Sequence, residues 1–190
     1  AVECIGKPSG GVSPAEASRI PGLIAEAERA TELLNAPAAR LIAQGKERLL
    51  RLAEVEALQD SQALLVDACR NAVRDPKQTV SLARRPVLFA LAQALAEAWP
   101  GDVSRDALVA RAFGAKRADE SHRARLRVEI GRLRGVLRPL ASVTATKEGF
   151  ALTPRRARDV LVLARPVVEK HAAVLAFLAD GESWSSSALA

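Results

Sequence analysis

Methionine and tyrosine are absent from this chain of 190 residues, and aromatic residues of any kind make up only 3% of it. So few rings leave little material for the stacking platforms that hold single-stranded nucleic acid, which argues against that class of ligand. The two cysteines, Cys4 and Cys69, lie far apart without CxxC spacing, and His122 and His171 are equally isolated. Neither a disulfide framework nor a zinc cage follows from such spacing, so no metal or other cofactor is expected, and Cys69 reads as a small buried residue. Long hydrophobic runs are missing too. The best candidate, PVLFALAQALAEAW at 86–99, is interrupted by Gln93 and Glu97 and falls short of the roughly 18 apolar residues that a membrane helix needs. No signal-peptide pattern opens the chain, and a reducing, cytoplasmic setting is the expectation. Carboxylates are scattered among arginines, no Ser/His/Asp or Cys/His grouping has a recognisable setting, and no glycine-rich phosphate loop follows a strand. The chain is therefore expected not to be an enzyme.

Positive charge is abundant. The formal net charge is +6 and the isoelectric point is about 10.0. Residues 1–60 carry seven Lys/Arg against nine Asp/Glu, which leaves +8 on residues 61–190. An anionic partner for the second part is the first implication.

Residues 1–12 are rich in Gly, Pro and Ser without sustained period and read as a flexible lead. From Ser13 the capping signature SPAE opens a segment, 13–60, that the spacing of Leu34, Leu41, Leu52 and Val55 predicts to be one or two long helices, with a break at Pro37. Such a segment packs on its own chain or forms a homodimer through its helices. Arg48 in the slot between Leu41 and Val55 weakens a coiled-coil reading.

From Ala63 the apolar runs shorten to 64–66, 72–73 and 80–82, separated by polar turns, which predicts three short antiparallel strands. Pro86 then stands at a first helical position, and Leu88, Leu91, Ala92, Leu95 and Trp99 form an apolar stripe ending at Pro100 and Gly101. A second helix runs from a Ser104 cap to a stop at Gly114. The third, ESHRARLRVEIGRLRGVLRP at 120–139, carries six arginines and two glutamates, with Asp119 or Ser121 available as its cap. At about 100° per residue, Leu126, Ile130, Leu133 and Leu137 fall on one stripe, the core face, while Ser121, Arg125, Val128 and Arg132 fall opposite. Arg127 and Arg134 flank the stripe, their stems over the core. The following SVTATKEGFAL alternates in period two and turns at 147–149, a hairpin in which Gly149 is expected to supply a positive φ.

Over residues 63–153 this order resembles the winged-helix DNA-binding domains of OmpR/PhoB-type bacterial transcriptional regulators. VSLARRPVLFALAQAL, VSRDALVARAF, VEIGRLRGVL and VTATKEGFAL carry the likeness. It implies an α+β, mostly helical fold: a winged helix-turn-helix at 61–154 with an N-terminal antiparallel sheet, flanked by helical segments. It further implies a third helix in the major groove of double-stranded DNA, with Ser121, Arg125, Arg127, Val128, Arg132 and Arg134 in contact. Thr144, Thr146 and Lys147 of the wing would reach the backbone or minor groove, and Arg84, Arg85 and Ser104 would clamp phosphates. Arginine suits the task, since its fork reads guanine edges and its charge displaces counterions. About 60 residues ahead of this unit are too few for a receiver domain, which needs a full doubly wound fold. The rival expectation is a protein-docking module whose basic face meets an acidic partner.

Residues 155–190 read as a helical extension: a helix from Ala157 to Leu163, a break at Pro166 and a further helix to Ala179. DGESWSSSALA then resembles the opening of a second helix-turn-helix.

Overall fold

A computed structural model describes residues 21–115 and 119–166. It divides at residue 36 into two units. The first contains one described helix, α1 (Pro21–Asn35), with no buried residue; Leu23, Leu33 and Leu34 are exposed.

The second unit begins with a hairpin. Strand β1 (Ala39–Ala43) pairs antiparallel with β2 (Lys46–Leu50) across Gln44 and Gly45. Both turn residues have positive φ, 49° and 74°, as a two-residue hairpin turn that matches the strand twist requires. Helix α2 (Leu52–Gln59) follows, its start fixed by Glu54, whose carboxylate accepts from the Arg51 N–H at 2.9 Å and from Arg48 at 2.6 Å. Those two partners, the backbone N–H first, lower the Glu54 pKa. Strands β3 (Leu64–Asp67), β4 (Ala72–Arg74) and β5 (Thr79–Ser81) meander antiparallel.

Helix α3 (Pro86–Glu97) leads through the short strand β6 (Asp102–Ser104) to α4 (Arg105–Phe113), and α5 (Glu120–Leu137) follows. Strands β7 (Ala141–Ala145) and β8 (Gly149–Pro154) form a hairpin, and β9 (Val160–Ala164) is the last described element. The strands make two sheets. One has the order β2-β1-β9-β3-β4-β5, the other β6-β8-β7. Strand β9 lies between β1 and β3, antiparallel to the first and parallel to the second, so the larger sheet is mixed.

One face of that sheet, with Ile42, Leu64, Val66, Val73, Val160 and Val162, joins the main core. That core is completed by α3, by Leu108 and Val109 of α4, and by Leu126, Ile130, Leu133 and Leu137 of α5. The opposite face, with Leu41, Leu50, Leu65 and Leu163, packs on Val55 and Leu58 of α2.

This architecture corrects the expected fold class. The chain is not a mostly helical winged helix with a small antiparallel sheet between helical flanks. Both flanks give strands to a six-stranded mixed sheet: β1 and β2 arise where long helices were expected, β9 where a helix from Ala157 to Leu163 was expected. The physical reason is burial on two faces. In β1 both Leu41 and Ile42 are buried, and in β9 Val160 and 162–164 are buried, so neither segment shows clean alternation. Apolar runs of this kind read as well in helical as in strand period. Leu34, Leu41 and Val55 accordingly share no helix. Two smaller corrections follow. Cys69 is exposed in the β3–β4 turn rather than buried, although partial burial of its sulfur and the nearby Asp67 charge raise its pKa. Gly149 is not at positive φ and is needed for a different reason, described below. The expected lead at 1–12, the helix start at Ser13 and the extension beyond Pro166 lie outside the described residues. No helix among the described residues is long and apolar enough to cross a membrane.

Candidate nucleic-acid interface

Helix α5 is the carrier of charge. Asp119 caps it by accepting from the His122 N–H at 2.8 Å, and its carboxylate also meets His122 Nδ1 at 2.6 Å. The backbone N–H is the main cause of a lowered Asp119 pKa, with the imidazole adding to it. The amide ends of α5 therefore already face an anion. Ser121 is exposed in this first turn, but a phosphate approaching there meets the carboxylates of Asp119 and Glu120.

Burial of the leucine and isoleucine stripe turns the opposite face outward. Arg125, Val128 and Arg132 are exposed there, Val128 at 53%. The Arg125 guanidinium lies 4.5 Å from the ring centre of Phe113, the last residue of α4. Stacking of this kind orients an arginine while leaving its N–H edge available. Arg127 pairs with Glu120 at 3.3 Å, both side chains about 70% exposed at 68% and 72%, so the pair is of little energetic weight and easily exchanged for a phosphate. Arg132 is bound more firmly: it meets Glu129 at 2.8 Å, and that carboxylate is only 13% exposed. Arg123 joins α5 to Asp106 of α4 at 3.5 Å.

Arg134 points elsewhere. Its Nε donates to the Val143 carbonyl at 2.7 Å, and its guanidinium lies 5.8 Å from the Phe150 ring. Arg105, the first residue of α4, lies over the same ring at 5.7 Å and donates to the carbonyls of Lys147 and Thr146 at 3.0 and 3.2 Å. Two arginines thus hold the β7–β8 turn. Thr146 is committed as well, since its hydroxyl donates to Asp102 at 2.5 Å and accepts from the Gly149 N–H at 2.9 Å. At Gly149 a Cβ would stand 1.7 Å from the Val103 carbonyl oxygen, so glycine is what lets β6 approach β8.

Of the expected hairpin contacts, Thr144 and Lys147 are exposed, whereas Thr146 spends its hydroxyl within the fold. Arg84 and Arg85 are exposed just before α3, and Arg85 shares a cavity of about 490 Å³ with Arg132, Glu129, Pro86, Val87 and Leu88. The Ser104 hydroxyl accepts from the Ala107 N–H at 3.2 Å as the cap of α4. The structure thus brings Arg85 to Arg132 and keeps Arg125 and Arg134 on separate aromatic partners. Arg105 and Phe113 were missed by sequence reasoning, as were the arginine contacts of Phe150. The only sequence signal was scarcity: two of just four phenylalanines in the chain carry an arginine on a face.

No group of three or more His, Cys, Asp or Glu able to hold a metal occurs among the described residues. Comparison with protein-family models, with curated proteins and with solved structures finds no match for this chain.

Proposed function

We propose that the chain is a transcriptional regulator, not an enzyme, that binds double-stranded DNA through the exposed face of α5. The observation that carries the reading is the paired character of that helix: a leucine and isoleucine face locked in the core, and an outer face with Arg125 stacked on Phe113 beside Arg127, Val128 and Arg132. A major groove admits one helix, an oriented arginine reads guanine edges, and an exposed valine meets a thymine methyl. Arg84, Arg85, Lys147 and Arg127 supply phosphate contacts around it. The likeness of residues 63–153 to OmpR/PhoB-type regulators supports the reading, and a reducing, cytoplasmic setting goes with it. Homodimerisation through α1, whose Leu23, Leu33 and Leu34 are exposed, belongs to the same proposal and is tested by sedimentation.

The deciding experiment is selection from a randomised duplex library, followed by fluorescence anisotropy on the enriched site. Enrichment of a motif is expected, with log affinity falling against log salt at a slope of about −0.9 per phosphate contacted. Arg125→Ala is expected to cost about 1–3 kcal/mol on the selected site, and Arg127→Ala to weaken all duplexes alike. Equal binding by wild type and an Arg125→Ala/Arg132→Ala variant would sink the proposal. It would leave α5 as the docking face for an acidic protein.

A further inference from the structure

Among the described residues of the second unit, the face of the large sheet away from the main core is covered only in part. Helix α2 has eight residues, about 12 Å of helix, while six strands span about 24 Å. Leu50, Leu65 and Leu163 find cover under Val55 and Leu58. At the margin of this cover Leu41, which belongs to the same cluster, joins Ala43, Ala63 and Leu161 in flooring a cavity of about 960 Å³. Ala43 and Leu161 remain half-buried there rather than sealed.

The rim of this cavity is cationic. Lys46 and Arg48 approach from the β1–β2 hairpin, Arg156 and Arg158 from the segment joining β8 to β9. Arg48 is engaged with Glu54 at 2.6 Å, and Arg156 stands 3.6 Å from Asp75. The two carboxylates on the lining are Glu47, which is turned to Arg40 at 3.0 Å, and Asp159. Lys46 and Arg158 take no ion pair among the described residues. The volume lies within the range of small-molecule sites, about 300–1,000 Å³, and an apolar floor with a few charged groups at the edge is their usual construction.

We propose that this cavity binds a small organic anion, an apolar body carrying one carboxylate, sulfonate or phosphate, with the body on Leu41, Ala43 and Leu161 and the charge between Lys46 and Arg158. A duplex backbone is a poorer occupant, because its phosphates gain nothing from a leucine floor. The inference is independent of DNA binding by α5, on the other side of the sheet's core face, and stands or falls separately.

Two dyes of similar shape test it on the full chain: anionic anilinonaphthalene sulfonate and neutral phenylnaphthylamine. The anionic dye is expected to bind saturably with one site per chain. Changing Lys46→Gln and Arg158→Gln together, both at exposed positions, is expected to weaken it by about tenfold or more, since a charge-assisted contact contributes about a factor of ten, while the neutral dye changes by less than about twofold. Ala43→Trp, which fills the floor, is expected to remove both dyes, with thermal unfolding reporting that the fold persists. The proposal is overturned by absence of saturable binding, by a charge variant that binds the anionic dye as wild type does, or by displacement of that dye by duplex DNA. Should Ala43→Trp not fold, the charge variant still decides.

Discussion

A methyl group added at Gly149 and one added at Gly131 should have opposite effects, because the two glycines serve different ends. At Gly149 the new Cβ falls within bonding range of the Val103 carbonyl, so Gly149→Ala must part β6 from β8; a loss of about 3 kcal/mol or more in urea unfolding is expected. Gly131 has nothing within 4 Å and sits mid-helix in α5, so Gly131→Ala should stabilise by about 0.5–1 kcal/mol in the same assay. Asp119 gives a pH signature. Its carboxyl titrates below the ordinary 3.8 in the folded chain, so its capping contribution is present above that value and disappears as pH falls through the lower, folded one. Asp119→Asn keeps a capping oxygen but cannot titrate, and thermal unfolding between about pH 5 and 2 should fall less steeply for it than for wild type.

Among elements, the β1–β2 hairpin tests whether local chemistry or tertiary burial sets its register. Gln44 occupies the first central turn position at φ 49°, a left-handed conformation that asparagine tolerates better than other residues with a side chain. Gln44→Asn should therefore stabilise by about 0.5–1 kcal/mol, read as a raised urea midpoint with unchanged slope. Helix α5 was fully legible from sequence, since a stripe of Leu126, Ile130, Leu133 and Leu137 among arginines admits one buried face only. The roles of its arginines were less so. Spacing separates inner from outer positions, but it does not say that Arg134 is taken by the Val143 carbonyl or that Arg125 lies on Phe113, because those partners come from elements far along the chain.

At the scale of the molecule, β9 joins segments that lie far apart in the sequence. It hydrogen-bonds to β1 on one side and β3 on the other, so residues 39–50 and 160–164 are one sheet with residues 64–81. Val162 is wholly buried at the centre of that sheet. A charge there has no partner, and Val162→Asp should abolish the cooperative unfolding transition followed by circular dichroism, including the signal from α3 to α5. By itself the sequence determined the capped and amphipathic elements: the Ser104 and Gly114 bounds of α4, Pro86 at the start of α3, the buried stripe of α5 and the β7–β8 hairpin. Each rests on periodicity or on a local backbone need that a few residues meet. Only the tertiary structure decided that 39–50 and 160–164 are strands, that the larger sheet is mixed, and which arginines remain free at the surface. Strands buried on both faces lose their alternation, and pairing across more than a hundred residues leaves no local trace for the chain to display.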